Sequence, residues 1–242
     1  MTRAKAKEDP RLIVALDVDS YRKAGRLVRL LSPYVKVFKV GNILFTQCGP
    51  KIIKYIHKKG AKVFLDLKYN DIPNTVSRAA IEATKLGVYM INVHATSGRE
   101  ALRATAKAVA EEARRHHIFK PILVAVTVLT SLHDEDIHSF GMTGTVKDLV
   151  LRLAGLAKDA GLDGVVASPE EIKMIKKEIG DHFVVVTPGI RPEWAMHKGD
   201  QKRVMTPSQA VANGADFIVV GRPIIQAKKP AKAVKDILKD MS

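Results

Sequence analysis

Three ionisable side chains, Asp66, Lys68 and Asp71, stand at offsets of zero, two and five in the segment DLKYNDIPNTV (66–76), just past the apolar run KVFL. On a strand, residues two apart share a face. The spacing therefore predicts that Asp66 and Lys68 project together at a strand's carboxyl end. Asp71 falls in the turn that follows, and Pro73 suits the first turn of a helix. Carboxylates clustered with an ammonium favour its charged form. A lysine held in this way can deliver a proton to a developing carbanion. A lone D-x-K is as easily a weak surface ion pair; the whole eleven-residue string is what points to chemistry.

The elements that must hold these groups follow from periodicity. Strands are predicted at 12–18, 35–40, 61–67, 89–95, 121–129, 164–168, 183–187 and 217–221. Helices are predicted near 20–31, 49–59, 74–86, 98–115, 144–160, 169–179, 206–213 and 223–240. Eight strands, each followed by a helix, predict an α/β fold of the (β/α)8 TIM-barrel type. The strands are rich in Val and Ile and nearly continuous in hydrophobicity, as strands covered on both faces are. An open doubly wound sheet is the competing architecture, but no G-x-G-x-x-G follows the first strand, which weakens its dinucleotide-binding form. No linker, low-complexity tract or repeat interrupts the β/α rhythm. One domain is expected over 1–242, with 1–10 a disordered basic tail.

In that frame the polar residues collect at one end. Asp17 ends the first predicted strand, Lys39 lies near the end of the second, and Asp66 and Lys68 end the third. Thr130 follows the fifth, Arg191 and Gln201 lie beyond the seventh, and Gly221 and Arg222 end the eighth. Barrel enzymes build their sites on this carboxyl-terminal face, with phosphate usually held after strands 7 and 8. Gly221 lets backbone N–H groups approach a phosphate, and Arg222 can bind it in a bidentate manner. The stretch from Pro188 to Met205 is long and polar for a βα connection and reads as a lid.

Composition bounds the alternatives. A chain of 242 residues with 46% hydrophobic content suits one barrel of roughly 250 residues. The single cysteine, Cys48, cannot form an internal disulfide, so a reducing cytoplasm is the expected location. The basic start runs into RLIVAL and then Asp17, too short an apolar run for a signal peptide, and nothing approaches the roughly 18 residues of a membrane span. A net charge of +15 raises the question of nucleic acid. The lysines and arginines, however, recur in amphipathic segments such as 51–62, 170–180 and 228–240, which read as solvated helix faces. Aromatics make up 5% and do not interleave with them, so no nucleic-acid partner is expected.

With ALDV (15–18), DLKYNDIPNTV, VTVLTS (126–131), TPGIRP (187–192), DQKRVMTPSQA (200–210) and FIVVGRPI (217–224) in order over about residues 11–228, the sequence resembles the orotidine 5′-monophosphate decarboxylases, most of all their bacterial branch. The resemblance implies removal of CO2 from orotidylate to give UMP, the last step of UMP biosynthesis. It implies a homodimer with two sites at the interface, and no metal or cofactor. It makes Lys68 the proton donor to C6 of the pyrimidine, sets Asp66 beside the leaving carboxylate, and has Lys39 complete an alternating charge array. It sends Asp71 and Thr75 into the partner's site. It matches Asp17 to a ribose hydroxyl, Thr130 to the pyrimidine ring, Gln201 to base and phosphate, and Arg191, Gly221 and Arg222 to the phosphate end. Tyr69 and Asn70 receive no role. His94, Trp194 and His197 read as packing or lid-surface residues.

The residues suit that chemistry. Loss of CO2 from a vinylic carbon leaves an anion that no ring π-system delocalises well, and a fixed lysine charge stabilises it without reorganisation. A sugar-phosphate decarboxylase or aldolase on the same D-x-K-x-x-D frame is the nearest rival and would hold magnesium; I-P-N-T after Asp71 and the D-Q-K-R segment favour the nucleotide enzyme. A basic RNA-binding protein is the rival from another class, and it predicts steeply salt-dependent affinity without turnover.

Overall fold

The computed structural model describes residues 11–196 and 204–242; the tail expected over 1–10 lies outside them. Eight parallel strands close into one barrel in sequence order. They are β1 (Leu12–Ala15), β2 (Val37–Gly41), β3 (Lys62–Tyr69), β4 (Met90–His94), β5 (Ile122–Val126), β6 (Gly164–Val166), β7 (Val184–Thr187) and β8 (Phe217–Val220). β8 pairs back onto β1 through Leu12 and Ile218. Parallel neighbours need a crossover, and helices supply it between strands, so both faces of each strand are covered.

Alternation along the strands divides the core in two. Ile13, Val37, Phe64, Met90, Val124, Val186 and Val219 point inward and pack on one another as the barrel floor. The alternate set, including Val14, Phe38, Leu65 and Ile91, belongs to the larger cluster between barrel and helices. Two residues beyond the floor, the inward series turns polar: Val37 is followed by Lys39, Phe64 by Asp66 and Met90 by Asn92. At Gly164 the strands approach so closely that a Cβ would lie 2.1 Å from the Val184 carbonyl oxygen.

Several boundaries differ from the sequence-based expectation. β1 stops at Ala15 and β5 at Val126, so Asp17 lies beyond its strand instead of ending it. Leu16 and Val128 remain buried past the last strand residue, and hydrophobicity therefore overstates strand length. β3 runs on to Tyr69, because Lys68 takes a left-handed φ of 51° and pairing with β4 resumes at Tyr69 and Val93. The helix expected over 49–59 is Lys51–Lys58; a further helix, Asn42–Cys48, precedes it and was not expected, the two being parted by Gly49 at φ 58° and by Pro50. Arg222–Ile225 and Pro230–Asp240 replace one helix over 223–240, with Pro230 opening the second. Asp134–Ser139 forms a helix that periodicity missed; it is too short to show a face and is held by a His133–Asp136 capping box. Among the described residues no helix is long and apolar enough to cross a membrane.

Candidate active site

A cleft of about 270 Å³ opens at the carboxyl-terminal end of the barrel. Asp17, Lys39, Asp66, Lys68, Thr130, Arg191, Gly221 and Arg222 all line it. Four of them form a continuous chain of charge. Lys39 Nζ lies 3.0 Å from Asp17 Oδ1 and 3.0 Å from Asp66 Oδ2, and Lys68 Nζ lies 2.6 Å from Asp66 Oδ1. The array is graded in exposure: the Asp66 and Lys39 side chains are 9% and 12% exposed, those of Lys68 and Asp17 31% and 47%.

Strand geometry places each member. Lys39 stands two residues after the floor residue Val37, and Asp66 two after Phe64. A Cβ at Gly41, two residues on, would come to 3.0 Å from the Lys39 ammonium, so another residue there would push that ammonium by a few tenths of an ångström. Lys68 reaches the cleft from a distorted part of β3, where the register with β4 shifts between Leu65 and Tyr69. A non-glycine residue at φ 51° is strained by roughly 1–2 kcal/mol.

The two most buried charges, Lys39 and Asp66, hold each other ionised. Burial alone would pull the Lys39 pKa down, but the carboxylates of Asp66 and Asp17 outweigh it and hold the pKa above the usual lysine value. Burial would push the Asp66 carboxyl up; Lys39, Lys68 and the hydrogen bonds from Lys68 and Asn92 hold it below the usual carboxylate value. Each buried charge is paired, which is the condition on which such groups are tolerated.

Two residues of the expected set lie elsewhere. Asp71 and Thr75 are exposed and do not line this cleft. Asp71 Oδ1 instead accepts from the backbone N–H of Ile72 at 2.7 Å, where the chain turns into the helix Pro73–Lys85. Among the described residues Lys68 forms its ion pair with one carboxylate, Asp66, while Asp71 is engaged by the Ile72 N–H. Gln201 and His197 lie outside the described residues. Arg191 is 3% exposed and donates to the Ala195 carbonyl, whereas Trp194 is 52% exposed.

Sequence reasoning missed Asn92. It is 1% exposed, its Nδ2 donates to Asp66 Oδ1 at 2.6 Å, and its Oδ1 accepts from the Lys68 backbone N–H at 2.9 Å. The available signal was a polar residue inside an apolar strand, in period-two register with the inward Met90. His94, expected to be packing, is half-buried at the end of β4. Burial, and after it the charge of Lys68, lowers the His94 pKa, against an upward pull from Asp66.

Comparison with known proteins gives the family. The family model described as orotidine 5′-phosphate decarboxylase / HUMPS family matches residues 10–237. A Syntrophotalea carbinolica protein named orotidine 5′-phosphate decarboxylase is 50% identical over 232 residues, covering 96% of this chain and 95% of that one. A Saccharophagus degradans protein of the same name is 48% identical, covering 97% and 96%. The crystal structure of orotidine 5′-phosphate decarboxylase from Lactobacillus acidophilus matches with a TM-score of 0.84 at 36% identity, over 97% of this chain and 100% of that one.

Proposed function

The chain belongs to the orotidine 5′-phosphate decarboxylase / HUMPS family, and we propose that it converts orotidine 5′-monophosphate to UMP and CO2 without metal or cofactor. The observation that carries this reading is the unbroken Asp17–Lys39–Asp66–Lys68 array in a cleft that also holds Arg191 and Arg222. One charged pair would serve many purposes. An alternating array with an anion-binding end fits a substrate that is a carboxylate at one end and a phosphate at the other.

In this reading the substrate carboxylate lies against Asp66. The bond from C6 to the carboxylate breaks, CO2 departs, and the electron pair stays on C6. The Lys68 ammonium stabilises that pair as it forms and then transfers one of its protons to C6; water reprotonates the amine. The charge is in place before reaction, which is electrostatic preorganisation. Repulsion between Asp66 and the substrate carboxylate vanishes as CO2 leaves, so the interaction favours the transition state over the bound ground state. Lys39 keeps Asp66 ionised for this purpose. Asp17 binds a ribose hydroxyl and Thr130 the pyrimidine. Arg191, Gly221 and Arg222 hold the phosphate, and Gln201 links base to phosphate.

The reading takes 1–242 as one catalytic domain working in the cytoplasm as a homodimer, with neither nucleic acid nor membrane as partner. Asp71 and Thr75, exposed and turned from their own cleft, serve the pocket of the second copy. Co-refolding equal amounts of Lys68→Ala and Asp71→Asn chains should then restore roughly a quarter of wild-type activity, because about half the dimers are mixed and each holds one intact pocket. No recovery in confirmed mixed dimers removes the shared site.

The reaction itself is tested by the loss of orotidylate's ultraviolet absorption on adding the pure protein after exhaustive chelation. Steady loss supports the reading. Turnover that appears only when magnesium is returned removes the metal-free part of the reading, and no loss under either condition removes the reading as a whole.

A further inference from the structure

We infer that Asn92 is a positioning residue for the Asp66–Lys68 pair, a two-sided clamp that fixes both the carboxylate and the backbone turn from which Lys68 is aimed. The inference rests on the decarboxylase reading and adds a residue that reading does not use.

Asn92 is buried in the middle of β4, two residues beyond the floor residue Met90. An amide there destabilises the fold unless both of its ends are paired. Both are, and each partner belongs to a different charged residue of the array: Nδ2 donates to Asp66 Oδ1 and Oδ1 accepts from the Lys68 N–H. A primary amide presents a donor group and an acceptor from one short neutral side chain, and only Asn does so at this length.

The two hydrogen bonds do different work. A break in strand pairing leaves backbone groups without ladder partners. Here the register of β3 on β4 shifts between Leu65 and Tyr69, and the Lys68 N–H finds its partner in the Asn92 side chain. Lys68 at φ 51° is held in a conformation that persists only where its surroundings over-determine it. The second bond sets the rotation of the Asp66 carboxylate. Oδ1 receives both Asn92 and the Lys68 ammonium, each at 2.6 Å, which leaves Oδ2 facing Lys39 at 3.0 Å. Asn92 does not line the cleft, so it acts through these two residues and not on substrate.

Two variants of similar size separate clamping from core filling. Asn92→Leu removes both bonds. Asn92→Asp keeps an acceptor for the Lys68 N–H but sets a second carboxylate against Asp66. Two carboxylates at that distance share a proton with a raised pKa, and once protonated the pair again offers Asp66 a donor. For Asn92→Leu the expected kcat is about 10- to 100-fold lower at every pH, with UMP affinity changed by less than about 3-fold. For Asn92→Asp the ratio of kcat to that of the unaltered protein should climb as pH falls from about 8 to about 5. An unaltered kcat in Asn92→Leu, or a flat ratio in Asn92→Asp, overturns the inference. If the variants fail to fold, amide exchange in the intact protein decides: slow exchange of the Lys68 N–H supports the clamp, and exchange as fast as in an exposed turn overturns it. If the unaltered protein shows no turnover while that N–H is protected, the decarboxylase reading fails and the clamp geometry stands.

Discussion

The floor and the mouth of the barrel stand two residues apart on the same strands and obey opposite rules. Val37, Phe64 and Met90 fill the floor with apolar volume; Lys39, Asp66 and Asn92, next in the same inward rows, fill the mouth with charge and amide. The floor is held by non-directional burial, which depends on volume and tolerates exchange of one hydrocarbon for another. The mouth is held by atom-to-atom pairing: Asp66 alone receives Lys39, Lys68 and Asn92. Strain also falls at the mouth, at Lys68, and not in the floor. One architecture thus separates apolar packing from paired charge by a single step of strand alternation. Substitutions in the two layers should fail in different ways.

The largest difference is expected from Lys68→Ala. Losing a general acid costs about 10²–10⁴-fold, and loss of the fixed charge adds to it, so turnover should fall by about 10⁴-fold or more. Binding of UMP should weaken far less. A variant that keeps more than about a tenth of its turnover would show that Lys68 is not the proton donor.

In the floor, Ile13→Ala should do the reverse. Ile13 is fully buried and does not line the cleft. Its truncation should destabilise the fold by about 2–5 kcal/mol in urea unfolding, while the molecules still folded at 25 °C keep kcat within about 2-fold. A large loss of kcat with unaltered stability would mean that floor and mouth are not separable.

Arg222→Ala sharpens the comparison within the mouth, where the proposed phosphate end lies remote from the bond proposed to break. Arg222 is exposed and lines the cleft. On orotidylate kcat/KM should fall by about 10- to 100-fold, and on a substrate lacking the phosphate it should hardly change. Equal losses on both substrates would place Arg222 outside the phosphate site.

The floor was legible in the sequence almost entirely, because inward packing leaves a local trace: runs of Val and Ile between helical patterns gave eight strands and a closed barrel. Strand ends were less legible. Leu16 and Val128 are as buried as strand residues, although they lie past the strand ends. The charged members of the mouth were visible because Asp66 and Lys68 are close in sequence and Lys39 is a charged residue inside an apolar strand. Asn92 was not, since its partners lie 26 and 24 positions away across a strand pair. The left-handed turn at Lys68 left no trace either. It is imposed by the β3–β4 register shift, a tertiary effect on a residue with no local preference for that conformation. Spacing alone groups Asp71 with Lys68; what its carboxylate does at the turn, where it accepts from the Ile72 N–H, has no trace in the spacing.

The smallest expected effect concerns the stability that the mouth's own charges supply, and it appears as a pH profile. Asp66 has a folded pKa held below the ordinary carboxylate value of about 3.9. Its contribution is therefore fully present above that value and is lost as pH falls through the folded pKa. Lys39 has a folded pKa held above the ordinary lysine value of about 10.4. Its contribution is present below that value and is lost as pH rises through the folded pKa. Between these limits the pair adds a constant amount. Asp66→Asn removes the shared partner, so the difference in Tm between the unaltered protein and the variant isolates this term from the many surface groups that titrate alongside. That difference should be a plateau of about 2–4 °C across neutral pH, corresponding to about 1 kcal/mol in a chain of this length. On the acid side it should shrink as Asp66 protonates and comes to resemble the amide. On the alkaline side it should shrink as Lys39 loses its proton and Asp66 is left with Lys68 alone. The floor has no group that titrates, so the same difference taken for Ile13→Ala should be flat at both ends. A sloping Ile13→Ala profile, or an Asp66→Asn profile without either shoulder, would break the assignment of pH-dependent stability to the mouth.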